Sequence, residues 1–145
     1  IDDQRFFLDY HIIPDLFMPN GCMACSGSLL NWFIDNFYAH SKKLNTNIHS
    51  YLDKKSSRTD IINNKIVVLP YFLGEKTPIH DVDAKGTISG LGLNNTIYDL
   101  WIAFLESVSF GFNHHLDILN EKKLFFILYY FILDIITIII YYLGI

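Results

Sequence analysis

Residues Leu69–Glu106 read LPYFLGEKTPIHDVDAKGTISGLGLNNTIYDLWIAFLE. The stretch opens on the end of an apolar run, Ile66-Val67-Val68-Leu69, stopped by Pro70. A short continuous apolar run bounded by a turn signal predicts a buried strand over Val67–Leu69. A Gly-Glu-Lys-Thr-Pro turn and an acidic, glycine-rich loop follow. After them Ile97, Leu100, Trp101, Phe104, Leu105, Val108, Phe112, Leu116 and Leu119 recur at spacings of three and four. That stripe predicts one long amphipathic helix over Ile97–Leu119 packed against a sheet. Thr96, with Asp99 three residues later, reads as a capping box with Asp in place of Glu. Strand, loop and long helix fit an α/β layer better than a helical bundle.

The order of residues in this stretch resembles the C-terminal domain of the FGGY carbohydrate kinases. The resemblance is carried by Pro70, Tyr71, Phe72, Gly74, Glu75, Lys76, Thr77, Pro78, Asp81, Ala84, Lys85, Gly86, Gly90, Leu91, Leu100, Ala103, Leu105 and Glu106. Lys76 and Lys85 stand where the family pattern has Arg, and Phe104 is bulkier than the pattern. A second block, NGCMACSGSLLNWFIDNF, is similar to the family's Gly-to-Trp helix. With FFLDYHIIPDLFMPN before it, the chain looks closest to the ribulokinase-like, pentulose-directed branch. The resemblance covers about Phe6 to Leu119.

It implies a partial actin-like ATPase (ribonuclease H-like) domain over residues 1–120, and it stops at an apolar tail over 121–145. It implies transfer of the ATP γ-phosphate to a sugar or polyol hydroxyl, with ATP and Mg²⁺ as cofactors. It also implies a cytoplasmic setting and a sugar site furnished largely by an N-terminal domain that this chain lacks. The family's base Asp and phosphate-binding turns would lie upstream of Ile1, so no catalytic residue is assigned here. No metal ligand is assigned either. Gly27 and Asn31 fall where the family contacts ATP. Without a Cβ, Gly27 lets a nucleotide approach the backbone, or it serves only helix packing. Asn31 lies four residues on, one turn along the same face, and can donate or accept a hydrogen bond.

Length and composition set outer bounds. The chain has 145 residues, enough for one modest domain, and begins at Ile1, which reads as a fragment. Eleven basic and fifteen acidic residues give a net charge of −4, with no basic cluster larger than a pair, which excludes a nucleic-acid footprint. No charged segment followed by an apolar run marks a signal peptide. Two cysteines without such a signal suit a reducing compartment.

Upstream, Phe6–Leu8 before Asp9 and Tyr10 read as a short strand, and Pro14, Pro19 and Gly21 as breakers. A helix is expected from Ser26 or Ser28 to Tyr38, its apolar face made by Leu29, Leu30, Trp32, Phe33 and Phe37. A short helix is expected near Ile48–Lys54, with surface loop over Ser56–Thr59 and Asn63-Asn64.

The tail Leu124–Ile145, LFFILYYFILDIITIIIYYLGI, carries one charge, Asp134. As a helix its 22 residues would rise about 33 Å, enough to cross a bilayer core. Asp134 near the middle would cost roughly 2.5–3.5 kcal/mol there. Membrane attachment through this tail and a degenerate end both stay open. A non-catalytic, membrane-tethered or interaction module is the alternative to the kinase reading. The oligomeric state is not encoded in any motif.

Other clusters read as structural. Glu75 and Lys76 form either a catalytic pair or a turn ion pair, the second preferred, in a loop that stiffens the domain near the cleft. Asp81 and Asp83 fail the calcium-loop pattern, because Lys85 and Gly92 would occupy ligand positions. Asp81 is expected instead to brace a turn. Gly86, Gly90 and Gly92 match no phosphate-loop pattern and read as turn glycines. Cys22-Met23-Ala24-Cys25 lacks a second ligand pair for zinc and reads as structural thiols. His114 and His115 diverge by about 100° on a helix, so one is expected packed and the other exposed.

Overall fold

A computed structural model describes residues 4–38, 47–57 and 63–122. The chain divides into two compact units, Ile1–Phe112 and Asn113–Ile145.

In the first unit, β1 (Phe7–Tyr10) and β2 (Phe17–Asn20) form an antiparallel hairpin that pairs Phe7 with Asn20 and Tyr10 with Phe17. Asn20 Nδ2 donates to Asp9 Oδ2 at 2.9 Å across it. Pro19, expected as a breaker, lies inside β2. In a two-stranded ribbon both strands are edges, where a missing N–H is tolerated.

Helix α1 spans Gly27–Phe37 and buries Leu29, Phe33 and Ile34. Trp32 and Phe37, assigned to its apolar face from the sequence, are more than a third exposed. Ile34 takes the inward place because it falls one residue after Phe33 on the turn that meets the core. Trp32 still lies 4.8 Å from the Phe72 ring and stacks at 6.1 Å on Phe104.

Helix α2 spans Ile48–Ser56. Asn47 caps it, its Oδ1 accepting from the amides of His49 and Ser50. Lys54 and Lys55 in the last turn suit the negative end of the helix dipole. Ser56, read as surface loop, is buried, because its hydroxyl turns back and donates to the Leu52 carbonyl at 2.7 Å.

Strand β3 (Val67–Leu69) pairs antiparallel with β4 (Thr87–Ser89), Val68 facing Ile88. The strand expected as buried throughout buries only Val68, whereas Val67 and Leu69 are exposed. Alternate side chains point to opposite faces, and only one face meets the helices. β4 lies inside the stretch read from the sequence as a glycine-rich loop.

Helix α3 spans Ile97–Glu121. Its start is the expected capping box: the Thr96 amide donates to Asp99 Oδ2 at 2.6 Å, and the Asp99 amide donates to Thr96 Oγ1 at 3.3 Å. Leu100, Trp101, Ala103 and Phe104 join Leu29, Phe33, Ile34, Leu52, Ile66, Val68 and Cys25 in one core. Phe33 lies 5.0 Å from Phe104 and 5.3 Å from Trp101, ring to ring. Trp101 Nε1 donates to Asp53 Oδ1 at 2.9 Å, which ties α3 to α2 with the indole polar group satisfied.

The second unit is described only through the last part of α3. There Asn113 Nδ2 donates to Asp117 Oδ2 one turn on at 3.1 Å. His115 is buried and His114 exposed, as their divergence on a helix requires. Residues 123–145 lie outside the described residues, and the tail reading with them. Among the described residues no helix is long and apolar enough to cross a membrane.

Candidate functional site

Gly27 is the first residue of α1, and Ser26 before it makes no side-chain capping bond. The amides of Leu29 and Leu30 donate back to the Ser26 carbonyl at 3.0 and 3.4 Å, so the outward N–H groups of this end are those of Gly27 and Ser28. Gly27 and Asn31 are both exposed. A Cβ built at Gly27 would meet nothing within 4 Å. No neighbouring element of the described chain therefore needs the missing side chain, and the packing explanation of this glycine loses its basis. Open space lies above the backbone, and Asn31 stands one turn along the same face.

The segment that feeds α1 is held from a distance in sequence. Glu75 and Thr77 are both buried, at 4% and 0% exposure. The amides of Ala24 and Lys76 both donate to Glu75 Oε1 at 2.8 Å. The Cys22 amide donates to Thr77 Oγ1, and the Thr77 hydroxyl and amide donate to the Cys22 carbonyl at 3.2 and 3.3 Å. Lys76 reaches the carboxylate through its backbone, and its exposed side chain is not the partner. The turn ion pair expected for Glu75 is thus replaced by a clamp on backbone amides, since a carboxylate buried this deeply needs donors within reach.

The turn that presents Glu75 is closed on itself. Backbone bonds run both ways between Glu75 and Asp81, at 2.7 and 3.0 Å. Asp81 Oδ1 accepts from the Asp83 amide at 2.9 Å, the bracing role expected of it. Gly74 takes φ +72°, and a Cβ there would stand 2.5 Å from the Val82 carbonyl oxygen. Burial first, then the Glu75 carboxylate, raises the Tyr71 phenol above its ordinary range. Cys25 is buried beneath α1, its Sγ 3.3 Å from Ser28 Oγ, and Cys22 is half-buried.

Sequence reading placed Gly27 and Asn31 together but missed Thr77, and it gave Glu75 the wrong partner. The partners are main-chain groups 51 and 55 residues away, which no side-chain pattern announces.

The FGGY family of carbohydrate kinases, C-terminal domain, matches residues 6–127. A solved xylulose kinase from Rhodospirillum rubrum superposes with a TM-score of 0.68 at 41% identity, over 82% of this chain and 23% of that one. The xylulose kinase of Staphylococcus xylosus is 25% identical over 79% of this chain and 22% of its own length. The glycerol kinase of Borrelia duttonii is 32% identical over 71% of this chain and 19% of its own length. The chain thus spans about a fifth of the length of these relatives.

Proposed function

The chain belongs to the FGGY family of carbohydrate kinases, within the family's C-terminal domain, and on that premise we propose that it forms the nucleotide side of an ATP-dependent sugar or polyol kinase. The reaction moves the ATP γ-phosphoryl to a substrate hydroxyl, with a pentulose as the preferred acceptor. Relatives named as xylulose kinases support that class, while a relative named as a glycerol kinase keeps polyols in view. The mixed helix-and-sheet architecture accords with an actin-like ATPase domain over residues 1–120. Two free thiols accord with a cytoplasmic setting.

Phosphoryl transfer of this kind is mostly positioning and charge stabilisation. In this reading the backbone at Gly27 lies against the nucleotide and the Asn31 amide makes one polar contact with it. Mg²⁺, where bound, screens the phosphate charge, and its ligands and the base come from outside this chain. The chain alone is accordingly inactive. The non-catalytic alternative rests on the tail, which lies outside the described residues, and on the base falling outside this chain.

The open space over Gly27 carries this reading. In a full-length kinase bearing this sequence, Gly27→Val fills that space and lowers ATP affinity while sugar affinity holds. Asn31→Ala removes one polar contact worth roughly 0.5–1.5 kcal/mol, about two- to tenfold in affinity. Calorimetric titration with a non-hydrolysable ATP analogue, beside a thermal melt, measures both. Nucleotide affinity unchanged in both variants would remove the assignment.

A further inference from the structure

The buried pair Glu75 and Thr77 grips the main chain of Ala24 and Cys22, in the segment that leads into α1. From this geometry we infer that Glu75 and Thr77 are positioning residues for the nucleotide. They set where the Gly27 backbone and Asn31 stand by fixing the main chain of Cys22 and Ala24. The inference rests on the nucleotide reading of Gly27 and Asn31.

Two features separate this clamp from ordinary core packing. The bonds go to main-chain groups of Cys22 and Ala24 and leave the side chains out. They therefore fix a path of the chain, and they fix it three and five residues before Gly27. Ser26 contributes no cap, so the start of α1 is located by what precedes it. The clamp is itself rigid. The backbone pair between Glu75 and Asp81 closes the turn, and the Lys76 amide shares Oε1 with Ala24. A carboxylate satisfied by two amides has little freedom to move, and displacement of Ala24 would leave a buried acceptor short of a donor. Small misplacements of a binding group cost catalysis disproportionately, even when they originate away from the chemistry.

The test uses the full-length kinase and separates acceptor chemistry from bulk. Glu75→Leu removes the acceptor, whereas Glu75→Gln keeps a carbonyl oxygen for both amides. Thr77→Val removes the hydroxyl at constant shape, and Thr77→Ser restores it. The expected result is a rise in KM for ATP of about tenfold in Glu75→Leu and about threefold in Thr77→Val, with KM for the sugar unchanged. Glu75→Gln and Thr77→Ser return KM for ATP to near the parent value. Should Glu75→Leu fail to fold, the Thr77 pair carries the test. A lower melting temperature with an unchanged KM for ATP in the folded enzyme would overturn the inference, as would equal rises for ATP and sugar. Gly27→Val is run in parallel. If it raises KM for ATP while the clamp variants do not, the positioning role fails and the nucleotide site stands. If Gly27→Val also has no effect, the nucleotide reading fails and the inference falls with it.

Discussion

The hairpin of β1 and β2 has no buried residue in either strand, whereas that of β3 and β4 puts Val68 into the core beside the adjoining Ile66. Both are two-stranded and antiparallel, with registers of four and three pairs. The first carries more apolar side chain: Phe7, Leu8, Tyr10, Phe17 and Met18 are all exposed. Hydrophobicity along the strand therefore does not decide which hairpin is anchored. An isolated two-stranded hairpin is marginal in water, and it gains stability from a packed face. β3 has that face because α1, α2 and α3 supply Phe33, Leu52 and Phe104 to the same core. Among the ring contacts of β1 and β2 are the Tyr10–Phe17 pair at 5.4 Å within the hairpin and one edge contact outside it, from Phe7 to His80 at 5.5 Å.

The contrast breaks or holds on three substitutions read by denaturant or thermal unfolding. The largest effect is expected from Val68→Asp. It places a carboxylate without a partner into a site that is 4% exposed and should cost at least about 3 kcal/mol, enough to unfold a marginal domain. Gly90→Ala should cost an intermediate amount, about 1–3 kcal/mol. Gly90 has φ +83°, and its Cβ would lie 2.2 Å from the Lys65 carbonyl oxygen, so the turn leaving β4 cannot accept a side chain without moving. The smallest effect is expected from Phe17→Thr, which deletes one cross-strand ring pair and should cost less than about 1 kcal/mol. A Phe17→Thr loss as large as that of Val68→Asp would show that β1 and β2 are covered in the folded protein, and the difference between the hairpins would vanish.

The legible parts of the fold were those in which neighbours along the chain do the work. The three-and-four spacing from Ile97 produced α3, and the Thr96–Asp99 box marks its start within one residue. The turn glycine at Gly90 belongs to the same class, because its role follows from its own φ. Gly27 and Asn31 came as a pair from the family resemblance, and their spacing of four residues adds only that they share a helix face. The misreadings have a common cause. Trp32, Phe37, Val67 and Leu69 are apolar, and the sequence gives no sign of which apolar residues find a surface to cover. Ser56 is polar and buried for the converse reason, as a nearby carbonyl satisfies its hydroxyl.

The sequence by itself determined the family and the long helix with its cap, and the family motif implied the pair Gly27 and Asn31 at the head of α1, because motif, periodicity and capping are all properties of contiguous chain. Only the tertiary structure decided that Glu75 and Thr77 hold that helix start in place. Their partners are backbone atoms of Cys22 and Ala24, every residue has such atoms, and only folding selects which of them a buried carboxylate and hydroxyl will meet.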